Sequence, residues 1–153
     1  MTFPKMNTSL FELEEQAPKQ DNDLHLLAAS LMFAVIGADD DTDQLELAQM
    51  VDTLRSRYSL STEETSDLIR SARKATANDD AVEDLAQKIC KYLGSKEREQ
   101  LLNDFWSLVT ADSEIRTDER LVIDRIANNL QLDSDEITRA RYQAEQRLEL
   151  NIS

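Results

Sequence analysis

A chain of 153 residues is long enough for one domain that buries roughly two thirds of the surface it exposes when unfolded. A formal net charge of −14 repels phosphate backbones and anionic lipid, which argues against nucleic-acid binding and makes cations and basic proteins the natural partners. Two Gly and two Pro supply too few turn formers for a many-stranded sheet, while the abundant Leu, Ala, Glu, Gln and Arg favour helices. The composition predicts an all-α protein.

The single cysteine, Cys90, cannot form an internal disulfide and sits among Leu85, Ala86, Ile89 and Leu93 at helical spacing, where a small core residue is expected. The N-terminus lacks the basic region, apolar run and small-residue cleavage site of a signal peptide. The longest apolar stretch, Leu24 to Ala38, is interrupted by His25 and Ser30 and is too short to span a bilayer. A cytoplasmic location without membrane insertion is therefore expected.

Residues 1–22 are polar and carry Pro4, Pro18 and one short amphipathic run, Leu10-Phe11-Glu12-Leu13. They read as a partly flexible segment ahead of a helical domain over residues 23–150. Asp23 is placed to cap a first helix whose Leu24, Leu27, Ala28, Leu31 and Val35 form one stripe, with Met32, Phe33 and Ile36 on its other faces. A helix apolar all round belongs in the middle of a bundle. Asp43 with Glu46 reads as a capping box opening a second helix through Leu47, Val51, Leu54 and Tyr58, and Ser61 with Glu64 opens a third. Thr76 to Asp80 is a break, and Ala81 to Leu93 predicts a fourth helix with Gly94 at its C′ position. Ser95 can cap a second buried helix carrying Leu101, Leu102, Phe105, Trp106, Leu108 and Val109. Leu121, Val122, Ile126 and Leu130 mark the next, and Asp133 with Glu136 opens the last, to about Leu150. The total is about seven helices with short connections, two of them central.

Both central helices end in the same way. Each stops at an Ala, Ala38 or Ala111, and each is followed by an acidic turn with a glutamate seven positions beyond the first Asp. Sliding the chain by 73 residues aligns Asp39 with Asp112, Asp41 with Glu114, Glu46 with Glu119, and Ser61 with Ser134, a weak internal duplication.

The segments Phe33-Ala34-Val35-Ile36-Gly37-Ala38-Asp39-Asp40-Asp41 and Trp106-Ser107-Leu108-Val109-Thr110-Ala111-Asp112-Ser113-Glu114-Ile115 resemble the paired Ala-Asp-Gly-Glu turns of the TerB-like family. Arg57 to Ser61 after the first unit, and Arg125-Ile126-Ala127 leading to Leu130 and Leu132 after the second, support the resemblance, which covers roughly Leu24 to Ala144. It implies a compact all-helical bundle, a bacterial cytoplasmic setting and a link to tellurite resistance or general stress response. Related domains at the front of some DnaJ-like membrane cochaperones imply docking to a protein partner, membrane-associated ones included. Two positions depart from the family's pattern. Asp40 and Ser113 stand where Gly is usual, and a left-handed turn costs such residues about 1 kcal/mol more than Gly. Arg116 stands where an acidic residue is common, so a positive charge lies beside the second turn.

Asp39, Asp41 and Glu46, repeated as Asp112, Glu114 and Glu119, form two all-oxygen, anionic sets suited to hard cations such as Ca²⁺, Mg²⁺ or Mn²⁺. No EF-hand is present, because Gln44 stands where that loop needs Gly and Met50 where it needs Glu. The same acids can equally serve as helix caps that favour the macrodipole. His25, the sole histidine, has no recognisable nucleophile partner, and no phosphate loop or dinucleotide glycine set is present. The expectation is a non-enzymatic module that binds divalent cations weakly and docks a protein. A metal-dependent enzyme using the acidic turns as ligands, or a purely structural acidic scaffold, are the alternatives.

Overall fold

The computed structural model describes residues 21–37, 43–75 and 82–152. Among these residues the chain forms seven α-helices and no strand, as the composition predicts. They are α1 (21–36), α2 (Gln44–Tyr58), α3 (Thr62–Ala75), α4 (Val82–Ile89), α5 (Ser95–Val109), α6 (Thr117–Ala127) and α7 (Ser134–Ile152). The amphipathic run at Leu10 and the break at Thr76 to Asp80 lie outside the described residues.

The two helices expected to be central supply most of the large buried side chains. In α1, Ala28, Ala29, Leu31, Met32, Val35 and Ile36 are wholly buried; in α5, so are Leu102, Phe105, Leu108 and Val109, with Trp106 beside them. Around α5 pack α2, α6 and α7, while α3 lies on α2 and α4 on α6. Helix α7 approaches through small residues, Ala140 and Ala144, both buried. Ion pairs fasten its outer face: Arg141 to Asp124 at 2.6 Å and Arg139 to Glu99 at 3.6 Å.

Two of the expected capping boxes form in both directions. The Ser61 hydroxyl accepts from the Glu64 backbone N–H and the Glu64 carboxylate accepts from that of Ser61, each at 3.0 Å. Asp133 and Glu136 exchange the same pair of bonds at 2.8 and 3.1 Å. The duplication therefore slips by one residue here, since Ser134, the partner of Ser61 in the alignment, is the first helical residue rather than the cap.

Several sequence expectations change. Asp23 does not cap α1, because the helix already includes residues 21 and 22. Helix α4 stops at Ile89, where Lys91 and Tyr92 donate instead to the carbonyls of Lys88 and Ile89 in a tightened turn. Gly94 closes nothing; it is the N-cap of α5, with extended backbone at φ −76, and its N–H donates to the Glu97 carboxylate at 3.3 Å. In α6 the inward face is Ile123, Ile126 and Ala127, and Leu121 is exposed.

With neither glycine at positive φ, the left-handed positions among the described residues fall to Ser59, Ser113 and Gln131, one in each of three helix connections. Ser59 ends α2 at φ 54 and ψ 46. Such a residue lacks the conformational freedom of Gly in this region, and the gain from Gly is partly offset by its larger unfolded entropy. Ser59→Gly should therefore stabilise the chain by up to about 1 kcal/mol, a rise in Tm of about 1 to 4 °C, whereas Ser59→Val should lower Tm. Thermal unfolding followed by circular dichroism checks both.

Candidate functional site

The acids that open α2 and α6 do different jobs. At α2, Asp43 is the N-cap: its Oδ1 accepts from the backbone N–H of Leu45 at 2.7 Å and of Glu46 at 3.3 Å. The reciprocal half of the expected box is missing, because Glu46 does not turn back to the cap. It turns inward and is wholly buried. At α6 the cap position is taken by Arg116, whose side chain makes no capping bond, and Glu119 is wholly buried as well.

Glu46 and Glu119 each occupy the third position of their helix. They meet, and a hydrogen bond joins the two carboxyl groups. Burial is the largest cause raising the Glu46 pKa, followed by this bond and by the negative charges of Glu119, Asp112 and Asp43, and together they push it up to about 9. At neutral pH the pair thus keeps a proton between its two carboxyls. Two helix N-termini, each with partial positive charge, lie behind the pair and favour the remaining negative charge.

Asp112 is brought to the same place. Its Oδ1 accepts from the Glu114 backbone N–H at 3.2 Å, and its Oδ2 lies 3.5 Å from Arg116 Nη2. Burial raises its pKa, the Glu114 N–H and Arg116 oppose that, and Asp43 adds to it. Arg116 Nη2 also lies 3.8 Å from Asp43 Oδ2, so one guanidinium spans the starts of both helices.

Of the six residues picked out as cation ligands, the structure gathers Glu46, Asp112 and Glu119. Glu114 is exposed and contributes its backbone N–H rather than its carboxylate. Asp39 and Asp41 lie outside the described residues. Asp43 belongs to the cluster and was read only as a cap, since nothing in the sequence distinguishes a cap that also faces a second helix. Among the described residues no three His, Cys, Asp or Glu side chains are close enough together to hold a metal ion as they stand. Ser113, in the place of the usual Gly, takes the left-handed conformation at φ 67 that the turn requires.

His25 and Cys90 each have neighbours within the bundle. His25 is half-buried, its ring 4.3 Å from that of Tyr58, and desolvation lowers its pKa against the pull of Asp21 and Glu64. Beside it, a cavity of about 390 Å³ between α1, α2 and α5 contains the bidentate pair of Arg57 with Asp104, at 2.7 and 3.1 Å. Cys90 is half-buried, its thiol donating to the Ala86 carbonyl at 3.3 Å, and burial raises its pKa. No helix of the described residues is long and apolar enough to cross a membrane.

Glu46 gives the stability a pH dependence of known sign. Its pKa is raised on folding, so the native state binds more protons than the unfolded one between the ordinary value of 4.5 and about 9. The stabilisation is complete below that window and is lost as pH rises through it. Tm of the chelator-treated chain should fall between pH 5.5 and 8.5, and Glu46→Gln should flatten the fall. Equal slopes for the two proteins would assign the titration to another group.

No match is found among curated proteins. Among solved structures the chain is similar to a protein of unknown function from Porphyromonas gingivalis W83, with 14% identity, a TM-score of 0.56, and coverage of 81% of this chain and 95% of that one. That likeness is one of fold. The family model described as tellurite resistance protein TerB matches residues 25–142, from the start of the first central helix into α7, and on that match the chain belongs to the TerB family.

Proposed function

We propose that this TerB-family chain is a non-enzymatic module of a bacterial, cytoplasmic stress response linked to tellurite resistance. It holds a divalent cation weakly at the shared start of α2 and α6, and docks a protein partner through its acidic surface. One observation carries the cation reading: Glu46 and Glu119 come from separate turns and are buried against each other, with Asp43 and Asp112 beside them. An oxygen-only anionic set of this kind suits Ca²⁺, Mg²⁺ or Mn²⁺. Glu46, Glu119, Asp43 and Asp112 would hold the ion, which would supply the positive charge now provided by a proton and a guanidinium. Loss of that proton and closure of the carboxylates keep the affinity modest. The net charge of −14 supports a basic docking partner and disfavours nucleic acid.

Thermal unfolding with and without each ion tests the reading. At ten times Kd a bound ion adds about 1.4 kcal/mol, which for a chain of this size raises Tm by roughly 3 to 6 °C. Glu46→Gln combined with Glu119→Gln should fold and lose the rise. A wild-type chain with no ion-specific rise, or a double variant that keeps it, overturns the cation site.

A further inference from the structure

The cavity beside His25 does not stand alone. Two further hollows adjoin its 390 Å³: one of about 320 Å³, which shares Arg57 and Asp104 with it, and one of about 370 Å³ between α1 and α3, which shares His25. Together they make a groove to which α1, α2, α3 and α5 all contribute, and each is within the range of about 300 to 1,000 Å³ that ligand sites occupy. The walls carry mainly one sign of charge. Asp21 and Glu97 line the central hollow, Asp52 the second, and Asp23 and Glu64 the third, all of them exposed. Among the described residues lining the groove, Arg57 is the one cationic side chain, and Asp104 holds it through two bonds at 2.7 and 3.1 Å. His25 adds little charge at neutral pH, since desolvation lowers its pKa. The lining is more than acidic, however. Leu24 and Leu101 give the central hollow hydrocarbon, and Tyr58 gives it a phenol ring, 4.3 Å from the ring of His25. Burial, and after it the charge of Asp104, push the Tyr58 pKa up to about 12, so the phenol stays neutral.

We infer that this groove receives an extended basic segment of a protein partner, with an Arg or Lys side chain seated in the central hollow. The inference rests on the docking reading above and gives it a place on the molecule. Carboxylates at the rim meet the charged head, the leucines cover its hydrocarbon stem, and the Tyr58 ring attracts a guanidinium or ammonium group. A single hollow would suit a small organic cation; three that adjoin suit successive side chains of an extended chain. The net charge of −14 opposes nucleic acid, or a second copy of this chain, as the occupant. The groove is lined by none of Asp43, Glu46, Asp112 and Glu119, so docking and the buried carboxyl pair can be probed separately.

Calorimetric titration of the full chain with an acetylated, amidated peptide of alternating Arg and Ala tests it, with circular dichroism verifying that each variant is folded. The peptide should bind, and in ¹⁵N–¹H spectra its shifts should gather at Ser56, Tyr58, Ser71 and Gln100, which line the groove. Asp21→Asn combined with Glu97→Gln should weaken binding about fivefold or more, whereas Asp84→Asn with Asp135→Asn, which removes the same charge from exposed positions outside the groove, should change it less than about twofold. Gln100→Trp, which fills the central hollow without altering charge, should weaken it as well. If the peptide binds but the two double variants weaken it equally, or Gln100→Trp leaves it unchanged, the groove is overturned while docking through the acidic surface stands. If agmatine, a lone guanidinium on a short stem, binds as tightly as the peptide, the occupant is a small cation and the peptide assignment is overturned. If the peptide does not bind at millimolar concentration, the groove and the basic-partner reading fall together.

Discussion

Two glutamates lie against each other without solvent in a chain whose net charge is already −14. Burying one ionised carboxylate is expensive, and burying two side by side is prohibitive unless a proton or a cation lies between them. That condition is met by a proton kept within the Glu46–Glu119 pair, by two helix N-termini and by the nearby Arg116. The approach of α2 to α6 is thereby tied to the ionisation of one side chain, and the apolar core of α1 and α5 supplies the low-dielectric surroundings in which that ionisation matters.

Helix α2 is held by charge at both ends and by hydrocarbon in the middle. Near its C-terminus Arg57 grips Asp104 of α5 through two bonds, and Asp104 is nearly buried. Burial pushes the Asp104 pKa up while the guanidinium pulls against it. Between the ends, Met50 and Leu54 are wholly buried. The arrangement at the two ends is opposite in kind: a carboxyl–carboxyl pair that needs a proton, and a carboxylate–guanidinium pair that needs none.

The parts of this architecture that depend on local chemistry were legible in the sequence. Apolar faces all round marked α1 and α5 as central, and the Ser61–Glu64 and Asp133–Glu136 spacings named two caps whose bonds form as drawn. The Asp43–Glu46 spacing looks identical and behaves differently, because whether a glutamate in the third helical position turns back or inward depends on what faces it across the bundle. That facing residue is Glu119, 73 positions away. The misreading of Gly94 has a local cause: with φ at −76 it does nothing that requires a glycine, and its value as a helix stop came only from its residue type. Of the residues that mark α6, Ile126 and Leu130 are buried while Leu121 is exposed, and Ile123 takes the inward place, a choice that four apolar residues at 121, 122, 123 and 126 leave open in so short a helix.

The matching positions of Glu46 and Glu119 also constrain how the two halves can exist. Either half on its own would carry a single inward-facing acid, with an empty space where its counterpart belongs. A free half would have to leave that acid in water or find an identical copy to complete the pair. In the intact chain the second acid is covalently supplied, so the two carboxyls meet without a second molecule while the apolar core of α1 and α5 holds the bundle.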